Sequence, residues 1–211
     1  MINCIRSTRR CFQRNETLKN RDIRKLNPYA LYLLKFAGVF CLCYFTTLAV
    51  IGLSAPQGYY SPFVHTYLDY VTWLKNSLLN GASFILSLFK TETEREPGFY
   101  LRIKHGIGII VAQDCVGYGV YSFWIAFVTA NRGELWKKIR WIVGGLLMLW
   151  LINVIRITLF LVAINRGWPM PLHLDHHTWF NIVAYVMIFI LIFLYDRSMR
   201  AKIRRNQLQK V

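Results

Sequence analysis

Long apolar runs alternate with short polar or basic ones along this chain. Residues 30–53, 116–131, 139–164 and 178–195 read as helices that cross a hydrocarbon layer, at about 1.5 Å of rise per residue against roughly 30 Å of thickness. Pro56, Gly58 and Pro62 interrupt the pattern after the first run. From His65 to Phe89 the polar residues His65, Asp69, Thr72, Asn76, Asn80, Ser83 and Ser87 recur at steps of three or four, which predicts a helix with one narrow polar stripe. Lys90 to Glu96 is charged and solvated. Phe99 to Ala112 carries the β-branched and aromatic residues of a short extended stretch.

Basic residues supply the topology. They gather before Asn27 (Arg6 to Lys25), between Arg132 and Arg140, and after Asp196 (Arg197 to Lys210), where cytoplasmic segments retain Lys and Arg. If all three segments lie inside, the number of crossings is even, and the four apolar runs satisfy that condition. A fifth crossing at 65–89 would put the basic C-terminal tail outside, and Ile107 to Ala112 is too short to restore parity. The 65–89 helix is therefore expected to be interfacial or re-entrant, with a break at Asn80-Gly81. The expected fold is an all-α polytopic membrane helix bundle with about four spans. It divides into a basic cytoplasmic tail (1–29), a first span (30–53), an external segment with an amphipathic helix (54–99), a core with three spans (100–195) and a second basic tail (196–211).

Composition narrows the class. With 55% hydrophobic and 17% charged residues in 211, the chain falls outside the soluble and the disordered classes. The net charge of +16 comes without any nucleic-acid-binding signature, so anionic lipid headgroups are the expected partner and nucleic acid is not. Cys4, Cys11, Cys41, Cys43 and Cys115 are an odd count and no disulfide framework. The basic N-terminal region is too long for a cleavable signal peptide, so the first span reads as an uncleaved anchor. Asn15-Glu16-Thr17 fits a glycosylation acceptor, but a cytoplasmic tail makes it uninformative.

Three features carry candidate chemistry. Gln113 to Gly119 opens the second span, which puts Cys115 at an outer helix start, where the helix dipole favours the thiolate and Asp114 opposes it. Arg156 lies within the third span, where a guanidinium faces a protein interior or a wet cavity, and Asn153 shares its helical face and can hold the guanidinium or share its partner. Asp69 and Asp114 are the candidate ion-pair partners. The third feature is His173-Leu174-Asp175-His176-His177 at the start of the last span. Adjacent ligands at 175, 176 and 177 leave a helical face poorly and match no zinc signature, so neither a metal nor another cofactor is expected. An imidazole there suits a base for the thiol instead.

Thiol, imidazole and embedded guanidinium together supply nucleophile, general base and oxyanion stabiliser for acyl transfer. The order Cys115-x-Gly117 at a span start, Asn153-x-x-Arg156 in the next span and a His opening the one after resembles the exosortase and archaeosortase family of membrane transpeptidases, over roughly residues 100–195. The resemblance implies Cys115 as nucleophile, Arg156 as transition-state stabiliser and His177 as base, with His176 as the alternative base and Asn153 and Asp114 as orienting residues. Asn181, four residues after His177, favours that choice. Asp114 and Val116 depart from the Ala and Ser that familiar members carry beside the Cys.

The resemblance also implies an enzyme on the outer face of a prokaryotic inner membrane. Its substrates would be secreted proteins with a C-terminal signature, a transmembrane helix and a basic tail, passed through a thioester to an acceptor amine or hydroxyl. A non-catalytic membrane scaffold or transporter subunit, with Arg156 and the polar stripe lining a pathway, is one alternative. A metalloprotein using His173 to His177 is the other. Arg156 lies nine residues before Asn165, roughly 13 Å down the helix, whereas Cys115 and His177 look superficial. Either the helix ends early or the site is deep.

Overall fold

The computed structural model describes residues 27–55, 59–168 and 176–208, without the side chains of 114, 176–181, 184 and 201–208. Its helices are α1 (Pro28–Ser54), α2 (Tyr70–Leu88), α3 (Tyr118–Ala130), α4 (Leu135–Arg166) and α5 (His176–Leu208), with a π-helical turn at Val64–Leu68 and a 3-10 turn at Asp114–Val116. Strands β1 (Thr93–Glu96), β2 (Tyr100–Ile103) and β3 (Gly108–Ile110) form an antiparallel sheet in that order. α1 and α4 are long and apolar enough to cross a membrane.

α1 begins where the sequence provides both a cap and a start. Asn27 Oδ1 accepts from the Tyr29 N–H at 3.2 Å, and Pro28 needs no acceptor at the first position. Only Thr47 and Val50 of its 27 residues are buried, so Leu33, Leu34, Leu42 and Phe45 face outward, as they would toward lipid. Its aromatic residues pack against α3, with the Phe36 and Phe123 rings edge to face at 5.4 Å and Tyr44 and Tyr118 tilted at 5.5 Å.

Two apolar cores hold the rest. Trp124 of α3 is fully buried among Val128, Leu149, Ile188, Leu191 and Tyr195, which joins α3, α4 and α5. Its indole N–H donates to Trp141 O at 3.0 Å, and the indole fills the space that a Cβ on Gly145 would need. The second core joins Leu78, Leu79, Ala82 and Leu86 of α2 to Val154, Ile157 and Leu161 of α4, closed over by Leu101, Ile109 and Val111 of the sheet segment. α4 ends at Gly167, whose left-handed conformation (φ 62°) lets Trp168 N–H return to Ala163 O at 3.0 Å.

Three expectations are corrected. The helix does not break at Asn80-Gly81, because Gly81 is a contact point: an added Cβ would lie 2.8 Å from Val154 Cγ2. The break falls at Asp69, which caps α2 by accepting from the Thr72 N–H at 3.0 Å. Nor is the fold wholly helical. The charged stretch before Pro97 pairs with the extended one after it, placing Glu94 opposite Arg102, while Lys104 reaches Glu92. Solvent screens these exposed pairs, so the buried Leu101 and Ile109 matter more to the sheet. Finally, the second span is shorter than expected: α3 has 13 residues, about 20 Å of rise.

The polar stripe has partners of its own. Arg95 of β1 donates to Asn76 at 2.8 Å and to Asn80, and Ser83 and Thr93 hydroxyls meet at 2.6 Å. Its middle residues hold the sheet against α2.

Candidate active site

The position of Cys115 follows from how the chain enters α3. At the end of α4, Asn165 clamps the β2–β3 turn: its Oδ1 accepts from Ile107 N–H at 2.7 Å and its Nδ2 donates to Ile107 O at 2.8 Å. From there β3 runs back along α4, and Val111 N–H donates to Phe99 O at 3.1 Å. A second α4 side chain that hydrogen-bonds this segment is Asn153, twelve residues before Asn165 and about 18 Å along the axis. The helix does not end early, since it continues to Arg166. The site is deep because the chain descends to it.

Asn153 fixes the bottom of that descent. It is 8% exposed, and its Nδ2 donates to Cys115 O at 3.1 Å and to Val116 O at 2.9 Å. The backbone N–H groups of Cys115 and Val116 close a tight turn on Ala112 O and Gln113 O. Asn153 Oδ1 and the buried Tyr121 hydroxyl face each other, and neither has another partner among the described residues. Gly117 then reverses the chain at φ 78°, ψ 29°, a conformation that penalises any Cβ, and its carbonyl accepts from Val120 and Tyr121 to start α3. Cys115 is thus three residues before the α3 start, within a 3-10 turn and not on the helix itself.

One turn beyond Asn153, the half-buried guanidinium of Arg156 lies within electrostatic and hydrogen-bonding reach of the Cys115 side chain. Of the two carboxylates that a structural ion pair would use, Asp69 caps α2, and the side chain of Asp114 lies outside the described residues. Of the two roles open to Asn153, holding the guanidinium or sharing its partner, the second is the one seen, since both residues meet Cys115. The structure therefore brings together Cys115, Arg156 and Asn153. Asp114 lies in the same turn by its backbone, and His176 and His177 are the first two residues of α5. The side chains of these three, and all of His173 and Asp175, lie outside the described residues. No group of three or more His, Cys, Asp or Glu suited to a metal occurs among the described residues.

Lys75 belongs to this neighbourhood and was missed in the sequence. It is 7% exposed, its Nζ lies 4.5 Å from the centre of the Phe99 ring, and Asp69 and Cys115 attract its charge. Its signal was present: Lys75 is in helical register with Leu78, Leu79, Ala82 and Leu86, on the apolar face of α2 and not in the polar stripe.

Beside Val116 a cavity of about 710 Å³ opens among α1, α2, α3 and α4, lined almost wholly by apolar atoms of residues such as Leu42, Trp73, Leu74, Tyr121, Leu146 and Trp150. Neither the curated proteins nor the solved structures give a significant match to this chain. The family model for transmembrane exosortases matches residues 25–194, which include every residue of the site just described, and the chain belongs to that family.

Proposed function

We propose that the protein is a membrane cysteine transpeptidase in which Cys115 is the nucleophile, Arg156 the oxyanion stabiliser and His177 the general base. The observation that carries this reading is the convergence of Arg156 and Asn153 on Cys115: the guanidinium lies within reach of its side chain, and Asn153 ties down its backbone turn. An arginine at membrane depth is costly unless it serves a site, and here it lies by a thiol that becomes anionic when it acts as the nucleophile. The Cys115 thiolate attacks a substrate carbonyl carbon, and Arg156 receives the developing oxyanion. The C–N bond breaks, and the amine leaves with a proton from His177. The resulting thioester is resolved by an acceptor amine or hydroxyl, whose proton returns to His177.

Depth agrees with cleavage next to an anchor. If Arg140 marks the inner boundary, Arg156 stands sixteen residues further on, about 24 Å into a layer of roughly 30 Å. The reacting centre then lies just beneath the outer surface, the sheet lies above it, and the apolar cavity beside Val116 accommodates part of a substrate's transmembrane helix. Ser77 and Gly81 of α2 meet Trp150 and Val154 of α4, below the level of Arg156, which favours the re-entrant reading of α2 over the interfacial one. In this reading α1, α3, α4 and α5 make four crossings with both termini in the cytoplasm of a prokaryotic cell. The substrates are secreted proteins with a C-terminal signature, an apolar helix and a basic tail.

The test is processing of a co-expressed candidate substrate in membranes. Cys115→Ala and Arg156→Ala each abolish the size change while accumulating to the parent's level. Processing that persists in Cys115→Ala overturns the proposal.

A further inference from the structure

Lys75 is a buried cation with no role in the scheme above. Its ammonium rests on the face of Phe99, and Phe99 reaches that place in a left-handed backbone conformation (φ 63°) uncommon for a bulky residue. Among the described residues no carboxylate lies within 4.0 Å of it. Asp69, one and a half turns earlier, attracts it from a distance while capping Thr72. Its other electrostatic partner is Cys115. Phe99 and Cys115 pack against the same core, and the Val111–Phe99 backbone hydrogen bond ties the two segments together. The charged or titratable groups that face this centre are therefore Lys75 and Asp69 from α2, Arg156 from α4, Tyr121 from α3 and Cys115 itself. Asp114 precedes Cys115 in the chain, and the side chains of Asp114 and His177 lie outside the described residues.

We propose that Lys75 is a positioning residue of this site: its buried ammonium, held on Phe99 against the core that Cys115 also joins, adds to the positive field at the thiol and favours the thiolate before the substrate's carbonyl arrives. The proposal rests on Cys115 being the nucleophile. It explains why a lysine occupies the apolar face of α2, where Met would fill the same volume without the cost of burying a charge. The negative charge moves from sulfur to the carbonyl oxygen as the C–S bond forms, so the effect of the lysine falls on the resting thiolate and on how readily it forms.

The test compares an anionic and a neutral alkylating reagent of similar size, iodoacetate and iodoacetamide, on Cys115 in membranes holding the full chain, read by peptide-resolved mass spectrometry. Two cations at the sulfur raise the iodoacetate rate relative to the iodoacetamide rate. Lys75→Met lowers that ratio about tenfold, the scale of one partly screened charge at close range, and Lys75→Arg restores it. The pH at which iodoacetamide labelling reaches half its maximum moves upward in Lys75→Met alone. Processing falls in Lys75→Met and is retained in Lys75→Arg. An unchanged ratio, or an equal slowing of both reagents that Arg does not rescue, overturns the proposal and leaves Lys75 a structural residue. A Cys115 that neither reagent labels in the parent overturns the nucleophile reading itself, and this proposal with it.

Discussion

Replacing Asn153 by Asp separates two accounts of the same residue. If Asn153 held the Arg156 guanidinium, a carboxylate would hold it better. In the structure its Nδ2 donates to Cys115 O and Val116 O, and a carboxylate has no proton for either. Asn153→Asp therefore sets an anion against two carbonyl oxygens in a buried place. Removing the donor leaves two buried carbonyls unpaired, at about 1–3 kcal/mol apiece and about 2–6 kcal/mol together. A penalty of that size exceeds what a tight turn can absorb, so the turn shifts and Cys115 moves relative to Arg156. A displacement of about 1 Å between reacting groups costs on the order of a hundredfold in rate. The assay is the initial rate of substrate processing in membranes, normalised to protein level, for the parent, Asn153→Asp and Asn153→Ala. Both variants should fall about a hundredfold, with Asp no better than Ala. An Asp variant within about threefold of the parent refutes this account of Asn153.

Other consequences follow from close contacts and charges elsewhere. Gly81→Val forces side-chain atoms into Val154 and Trp150, so detergent-solubilised protein should lose about 1–3 kcal/mol and unfold several degrees lower; an unchanged midpoint would show that α2 and α4 are not so close. Gly117→Ala pays about 1–2 kcal/mol at φ 78° and should slow Cys115 labelling and processing together, whereas unaltered labelling would mean the turn is dispensable. The Lys104 hydrogen bond holds the Glu92 carboxyl below the usual carboxylate range. Its contribution is complete above the ordinary value of 4.5 and is lost as pH falls through the depressed one. Amide protection in β1 and β2, corrected for intrinsic exchange, should drop in that acidic window in the parent and not in Glu92→Gln; equal profiles would exclude the pair as a cause.

The helices were legible because their apolar runs are long. The bounds expected for α1, 30–53, miss those observed by two residues at one end and one at the other. The polar stripe of α2 was legible too, but not its purpose, since β1 is brought to Asn76 and Asn80 by a hairpin whose charged first strand carries no apolar period. Gly81 looked like a hinge because glycine spacing alone does not distinguish a bend from a close helix contact. Cys115 and Arg156 stood out by residue type and by resemblance, yet their shared depth did not. It depends on the Asn165 clamp and the returning β3 segment, contacts that join residues nearly sixty positions apart. Lys75 was hidden for the opposite reason: one charge on an apolar face looks like noise until Phe99 and Cys115 are placed beside it.

The most direct measurement is to trap the acyl-enzyme. Membranes holding the full chain and a candidate substrate would be quenched during turnover and the Cys115 peptide examined by mass spectrometry with and without hydroxylamine. The account predicts a substrate fragment in hydroxylamine-sensitive linkage to Cys115, more abundant when the acceptor is depleted and absent from Arg156→Ala. Turnover with no adduct on Cys115, or an adduct on another residue, would contradict it.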